Sequence, residues 1–259
     1  MAKPTPKISQ SLMKNLSDYL QGKQCGLKFK AMYLDGESMP SSPPMALGNW
    51  FEYVATGQLP RNGEVPEPKR LKSGKLSTDY VRAETQTHNY KALIEHHGFE
   101  VINTGYAFHK NNIATGISDV MARKDGKLCV IDLKMSGLLD DKWNELGWSL
   151  ETIEQKDKIL VQAVHYTILA EDEFEEEVDF YFAVFSSKNE TDYLLLKVNL
   201  DPDTIERHKE DVILTKEVLE SEIKKGFKAN PSYRLCNKCF LKDSCTEAQL
   251  TAEITNIYY

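Results

Sequence analysis

The sequence predicts an α/β sandwich, a mixed β-sheet flanked by helices. Its apolar periodicity runs helix, three strands, helix, two strands, helix, an order that places helices on the faces of a mixed sheet. The dipeptide Asp125-Gly126 lies between two strand-like runs and marks a two-residue hairpin turn, because both turn positions need positive φ. The 259 residues are 41% hydrophobic and 27% charged, with no run of apolar residues long enough to span a membrane, which is an ordinary globular composition. One domain over 1–259 is expected, with its core over about 45–200.

The elements follow in order. Residues 8–21 read as a short helix, and 45–56 as a second, placed after Pro43-Pro44 because proline is excluded from helix interiors. Residues 57–79 hold Gly57, Pro60, Gly63, Pro66, Pro68 and Gly74 and read as an irregular excursion. Its Lys69, Arg70, Lys72 and Lys75 suit either phosphate contact or plain solvation. Residues 80–97 fit a helix ending at Gly98, and 99–108, 114–123 and 127–134 fit three strands. A long helix over 151–171, strands over 178–186 and 192–199, and a helix over 201–226 complete the pattern. The acidic run from Glu171 to Asp179 reads as a solvated face.

The hairpin turn carries chemical information. If Lys124 faces Lys127, paired residue numbers sum to 251, and Asp119 then lies opposite Asp132. Opposed side chains share a face with Cβ atoms about 5 Å apart. Two carboxylates so placed repel, and a divalent cation such as Mg²⁺ or Mn²⁺ between them removes the penalty. Lys134 is two residues past Asp132 and points to the same face. A structural Asp132–Lys134 ion pair is the simpler alternative, but it leaves Asp119 unexplained. Glu52, after Gly48-Asn49-Trp50-Phe51, offers a third carboxylate, with His88 as a substitute ligand. Gln162 and Tyr166 are one helical turn apart on one face, with Gln162 placed to position DNA or the lysine. His165 faces elsewhere and reads as structural.

Five cysteines in a chain whose N-terminus lacks an apolar signal core argue for metal ligation plus one spare, and for a cytoplasmic location. Cys25 stands far upstream of Cys236-x2-Cys239-x5-Cys245, so a group held by all four ties the chain's two ends together. Four thiolates suit zinc as well as an iron–sulfur cluster. Cys129, in an apolar strand, is the spare. The net charge of −7 argues against a passive nucleic-acid-coating protein.

These residues together resemble the RecB-like branch of the PD-(D/E)XK nuclease superfamily. Gly48 to Glu52 is similar to its first motif, with Phe51-Glu52 standing where many small members carry histidine. Gly116-Ile117-Ser118-Asp119 resembles G-x-x-D, Asp132-Leu133-Lys134 resembles D-x-K, and Gln162-x3-Tyr166 resembles Q-x3-Y. The cysteine pattern is similar to the iron–sulfur subset of that branch, which includes the AddB nuclease domain and the small CRISPR-adaptation nucleases. The resemblance implies a restriction-endonuclease-like fold. It implies a 4Fe–4S cluster on Cys25, Cys236, Cys239 and Cys245, which would join segments at about 20–35 and 228–250. It also implies Asp119, Asp132 and Glu52 as ligands of Mg²⁺ or Mn²⁺, with Lys134, Gln162 and Tyr166 completing the catalytic set. The expected activity is metal-dependent DNA hydrolysis, exonucleolytic and directed at single strands or ends. Phage recombination, DNA repair and CRISPR spacer processing are the settings, with separate recombination or CRISPR-adaptation proteins as partners and no membrane. An adaptor that keeps the fold without useful catalysis and an iron–sulfur electron carrier are the competing readings. Trp143 and Trp148 are candidates for stacking on single strands.

Overall fold

A computed structural model describes residues 5–60, 63–137, 139 and 153–249, with side chains from 160 onward in the last stretch. Trp143 and Trp148 lie outside the described residues. The helices are α1 (Gln10–Leu20), α2 (Gly26–Lys30), α3 (Pro43–Thr56), α4 (Thr78–His96), α5 (Ile153–Phe174), α6 (Pro202–Lys225) and α7 (Tyr233–Cys236). A π-helical turn, Ala31–Asp35, follows α2. The strands are β1 (Glu100–Ala107), β2 (Ile117–Lys124), β3 (Lys127–Ser136), β4 (Val178–Ser186) and β5 (Tyr193–Val198). The chain divides into two compact units: Ser41–Lys209, and the chain up to Pro40 together with the chain from Glu210.

In the larger unit the sheet order is β1-β2-β3-β4-β5. β3 and β4 pair in parallel, and the other neighbours pair antiparallel. A parallel pair needs a crossover connection, which α5 supplies between β3 and β4. β4 is buried along nearly its whole length and β3 from Leu128 to Leu133, whereas the first half of edge strand β1 is exposed. Asp125 and Gly126 have φ of 52° and 80°, the left-handed values a type I′ turn demands, and Lys124 pairs with Lys127 as expected.

α3 and α4 cover one face. Phe51, Tyr80, Ala83, Tyr90 and Leu93 pack there on Val120, Ala122, Ile131, Leu133, Ala183 and Phe185. Cys129 belongs to this core and is fully buried, and burial pushes its thiol up to about 11, so it behaves as a small apolar side chain. α5 packs on β3 and β4. Pro43 and Pro44 do not precede α3; they form its first turn, where the missing N–H groups would have had no helical partner anyway.

The acidic run is paired, contrary to its reading as a solvated face. Glu173 accepts the backbone N–H groups of His109 and Lys110 at 2.9 and 2.8 Å and the Tyr106 hydroxyl at 3.1 Å. Asp172 accepts from Asn111, Glu175 pairs with Lys110, and Glu176 with Arg123. Lys127 and Lys197 both reach Asp179. The run clamps the end of α5 to the loop after β1 and to the β2–β3 hairpin.

In the smaller unit Tyr19, Phe29 and Phe227 form a ring cluster, with Phe227 centroids 5.5 and 5.1 Å from Tyr19 and Phe29. Any side chain at Gly26 would collide with the Lys228 carbonyl, so glycine lets the N-terminal and C-terminal segments pack backbone against backbone. No helix among the described residues is long and apolar enough to cross a membrane.

Candidate active site

The hairpin register runs from Lys124↔Lys127 to Val120↔Ile131, so the paired ladder stops one step short of the expected Asp119–Asp132 pair. Asp119 Oδ2 accepts the Leu133 N–H at 2.7 Å. Asp132 is 1% exposed, an extreme value for a charged residue. The Lys134 ammonium pairs with its Oδ2, and the Gln162 amide donates to its Oδ1. The Lys134 ammonium also lies 6.0 Å above the Phe182 ring. Gln162 therefore engages the carboxylate, and not Lys134.

Glu52 reaches the same charges from α3. Its neighbour Phe51 is 1% exposed and seated 5.0 Å, ring to ring, from Phe185, which anchors this stretch of α3 on the sheet. Burial and the Asp132 charge hold the Glu52 carboxyl above its usual range, against the pull of Lys134. Asp119 is held well above its usual range by burial and by the charges of Asp132 and Glu52. Burial also raises Asp132, with Lys134 and Gln162 opposing. For Lys134, burial favours the neutral amine, but Asp132, Asp119 and Glu52 outweigh it and keep the ammonium form. Three carboxylates and one lysine thus form a single electrostatic cluster. His88 is exposed on α4 and is not among the groups acting on it.

Among the described residues no three His, Cys, Asp or Glu side chains are gathered closely enough to hold a metal ion. The cause at this site is local. Asp132 is engaged with Lys134 and Gln162, and Asp119 with a backbone N–H, so the expected ligands Asp119, Asp132 and Glu52 share a field without sharing a centre. Their chemistry fits a hard divalent cation, which would take over the compensating role that Lys134 alone now plays.

Gly116 and Tyr166 meet directly. A Cβ at Gly116 would lie 2.5 Å from Tyr166 Cε1 and 2.9 Å from Leu169 Cδ1, so the glycine of G-x-x-D is the seat for the tyrosine of Q-x3-Y. Gly48 has no such role: a Cβ there would meet nothing within 4 Å. His165 is structural as expected, with Nδ1 3.0 Å from His208 Nε2 and Nε2 3.0 Å from the Thr115 carbonyl. Tyr90 was not foreseen. It is buried, and burial together with the Asp119 charge pushes its hydroxyl up to about 12. Nothing local marks it, because it reaches the site through the packing of α4.

The chain shares this fold with a protein from Eubacterium rectale provisionally assigned as an exonuclease. That structure superposes with a TM-score of 0.65 at 15% identity, covering 96% of this chain and 91% of the other. The alkaline exonuclease LHK-Exo of Laribacter hongkongensis, in a complex with dAMP, matches at a TM-score of 0.49 and 14% identity, over 85% of this chain and 90% of that one. No protein-family model matches the sequence, and no curated protein is significantly similar to it.

The cysteines form a second candidate site, in the smaller unit. Cys25, Cys236, Cys239 and Cys245 are all free and line one pocket, with Lys23, Gln24 and Lys28 beside them. Its empty volume is about 560 Å³, part of it open to solvent. Among the described residues no three of these thiols are gathered closely enough to hold a metal ion. By donor chemistry alone, four free thiols in one lining suit zinc as well as an iron–sulfur cluster.

Proposed function

We propose that the protein is a divalent-metal-dependent deoxyribonuclease, acting as an exonuclease on single-stranded DNA or DNA ends. The observation that carries this reading is the cluster of half-buried Asp119, Glu52 and Lys134 around the buried Asp132, with Gln162 fixing Asp132. Few reactions call for opposed carboxylates and a lysine in one field with no nucleophilic serine or cysteine among them. Asp119, Asp132 and Glu52 are the residues that would hold Mg²⁺ or Mn²⁺, which when bound neutralises charge on phosphate and acidifies water. Lys134 keeps a proton at Nζ and offers N–H donors to a phosphoryl oxygen or to the attacking water. Gln162 holds the Asp132 carboxylate in one rotamer. Glu52, with its carboxyl raised by burial, is suited to accept a proton from water. Tyr166, seated on Gly116, would contact a phosphate or base. The fold shared with the Eubacterium rectale protein agrees with this reading. Phage recombination, DNA repair and CRISPR spacer processing, each with its own separate protein partners, are the settings it suggests.

A 4Fe–4S cluster on Cys25, Cys236, Cys239 and Cys245 is the cofactor we propose for the smaller unit. Its role is structural: bridging segments about 210 residues apart removes freedom from the unfolded chain, worth a few kcal/mol if the disulfide relation transfers. The four free thiols lining one pocket support it.

An adaptor that keeps the fold without catalysis is the second reading. It is favoured by one observation, the engagement of Asp132 by Lys134 and Gln162. The deciding test is digestion of end-labelled single- and double-stranded DNA with Mn²⁺, Mg²⁺ or chelator, with Lys134→Ala alongside. Metal-dependent cutting that falls at least a hundredfold in the variant is expected. Full cutting by Lys134→Ala, or none by wild type with any metal, overturns the nuclease assignment.

A further inference from the structure

The connection from α3 to α4 is not irregular throughout. Arg70 and Leu76 pair as an antiparallel bridge, and the Ser77 N–H donates to the Lys69 carbonyl at 2.9 Å. The Leu71 N–H donates to the Lys75 carbonyl at 2.8 Å, and the Gly74 N–H to the Leu71 carbonyl at 2.9 Å. Gly74 takes a φ of 81°, the left-handed value that lets the turn close. The Arg70 guanidinium reaches the Gly74 carbonyl at 3.0 Å. Residues 69–77 are therefore a small hairpin, and its root is fixed. Leu76 packs on the core cluster that holds Phe51, the residue before Glu52, and Ser77 is buried. Burial and the Asp79 charge raise the Tyr80 hydroxyl while the Lys69 N–H opposes them, which sets the other arm against this buried tyrosine.

Lys69, Arg70, Lys72 and Lys75 on this hairpin are exposed, and among the described residues no carboxylate pairs with any of them. The cations of the sheet differ. Arg123, Lys124, Lys127, Lys134 and Lys197 each have a carboxylate partner. In a chain of net charge −7, four unmatched cations on one ordered turn make a local positive field. From Lys69 to Lys72 the chain reaches about 10 Å. A nucleic-acid strand presents a phosphate every few ångströms, so a patch of this span meets several at once.

We propose, on the nuclease reading given above, that the hairpin 69–77 is a DNA-binding element that holds the phosphate backbone through Lys69, Arg70, Lys72 and Lys75. Such contacts carry no base readout, so the grip is independent of sequence. Anchored in the core that also seats the Glu52 stretch of α3, the hairpin keeps the strand at the protein while the carboxylate cluster acts on it.

The experiment measures binding of a labelled single-stranded oligonucleotide by fluorescence anisotropy, in chelator so that nothing is cut, over a salt series. It compares full-length wild type with Lys69→Gln/Lys72→Gln/Lys75→Gln. Arg70 is kept because it bonds across the turn. A control, Lys14→Gln/Lys91→Gln/Lys224→Gln, removes equal charge from exposed positions elsewhere. Each phosphate contact on a single strand adds about 0.7 to the fall of log affinity with log salt, so losing three should make the slope shallower by about 2 and weaken binding at least about tenfold at low salt. Digestion with Mn²⁺ should show KM raised in step, with kcat falling far less than in Lys134→Ala. The control should stay within about twofold of wild-type affinity, because charges beyond a Debye length are screened. An unchanged slope in the hairpin variant, or equal losses in variant and control, overturns the proposal. Wild type that leaves the oligonucleotide unbound, whether or not it binds phosphatidylserine vesicles, overturns it too. Wild type that binds through the hairpin but cuts with no metal overturns the nuclease reading and leaves the hairpin standing. If the triple variant melts early, Lys72→Glu alone decides: weaker binding with a shallower slope is expected, and wild-type binding overturns the proposal.

Discussion

Asp132 and Lys134 hold each other in place at the residue scale, and each is costly alone. Asp132 is almost fully buried, while the Lys134 side chain keeps 28% of its exposure, so water stabilises the lysine in part and the aspartate hardly at all. Removing the lysine leaves an uncompensated buried carboxylate beside Asp119 and Glu52, which burial and mutual repulsion already hold above their usual range. In metal-free protein Lys134→Ala should cost on the order of 3 kcal/mol at neutral pH. Adding Asp132→Asn to that variant should restore most of the loss, because the neutral amide still meets Gln162 and needs no counter-charge. A double-mutant cycle by denaturant unfolding measures the coupling directly. Additive effects of the two changes would show that the ion pair does not organise this site.

Elements impose the next constraint, through what they bring close. β2 enters its register at Gly116, α5 lays Tyr166 on that glycine, and Gln162 one turn earlier meets Asp132 on β3. The Gly116 contact is with ring and Leu169 methyl carbons in a packed layer, so an added methyl must displace α5 or tilt the ring. Gly116→Ala should cost about 1–3 kcal/mol and lower kcat by disturbing the Gln162–Asp132 bond, with circular dichroism unchanged. An alanine variant with wild-type stability and turnover would remove Gly116 from the account of the site. Much of this scale was legible in the sequence. A two-residue turn fixes the register of the pairs beyond it, so Asp125-Gly126 was enough to give the ladder as far as Val120↔Ile131. The acidic run was misread because its partners, Tyr106 to Asn111 and Arg123, lie some fifty to seventy residues away. α2, the π-turn and α7 are too short to announce themselves by periodicity. Gln86 carries no local signal either; it is fully buried and its amide bonds the carbonyls of Ser186, Asn189 and Asp192, capping the β4–β5 connection.

Across the whole molecule, two sets of buried groups in the larger unit pull stability in opposite directions with pH. Burial and the neighbouring His165 depress His208 to about 4, from an ordinary 6.5. Between those values the unfolded chain binds a proton that the folded chain refuses, so stability is lost as pH falls from 6.5 through 4. Asp119, Asp132 and Glu52 have the opposite sign. Their folded values are raised above the ordinary 3.8 for Asp and 4.5 for Glu, so the folded chain keeps protons that the unfolded chain has released. Their contribution is full below the ordinary values and is lost as pH rises through the raised ones. A divalent cation binds the ionised carboxylates in competition with those protons, so the stabilisation it brings should grow with pH and nearly vanish at pH 4. Melting curves from pH 4 to 8, with and without Mn²⁺, read this as a gap in Tm that opens steadily towards pH 8. His208→Gln should reduce the acid-side loss, with His165, also held low by burial, keeping its share, and should leave the gap unchanged, since the histidine pair and the carboxylates titrate independently. A gap of constant size across that range, or one abolished by His208→Gln, would mean that the cation binds somewhere other than Asp119, Asp132 and Glu52.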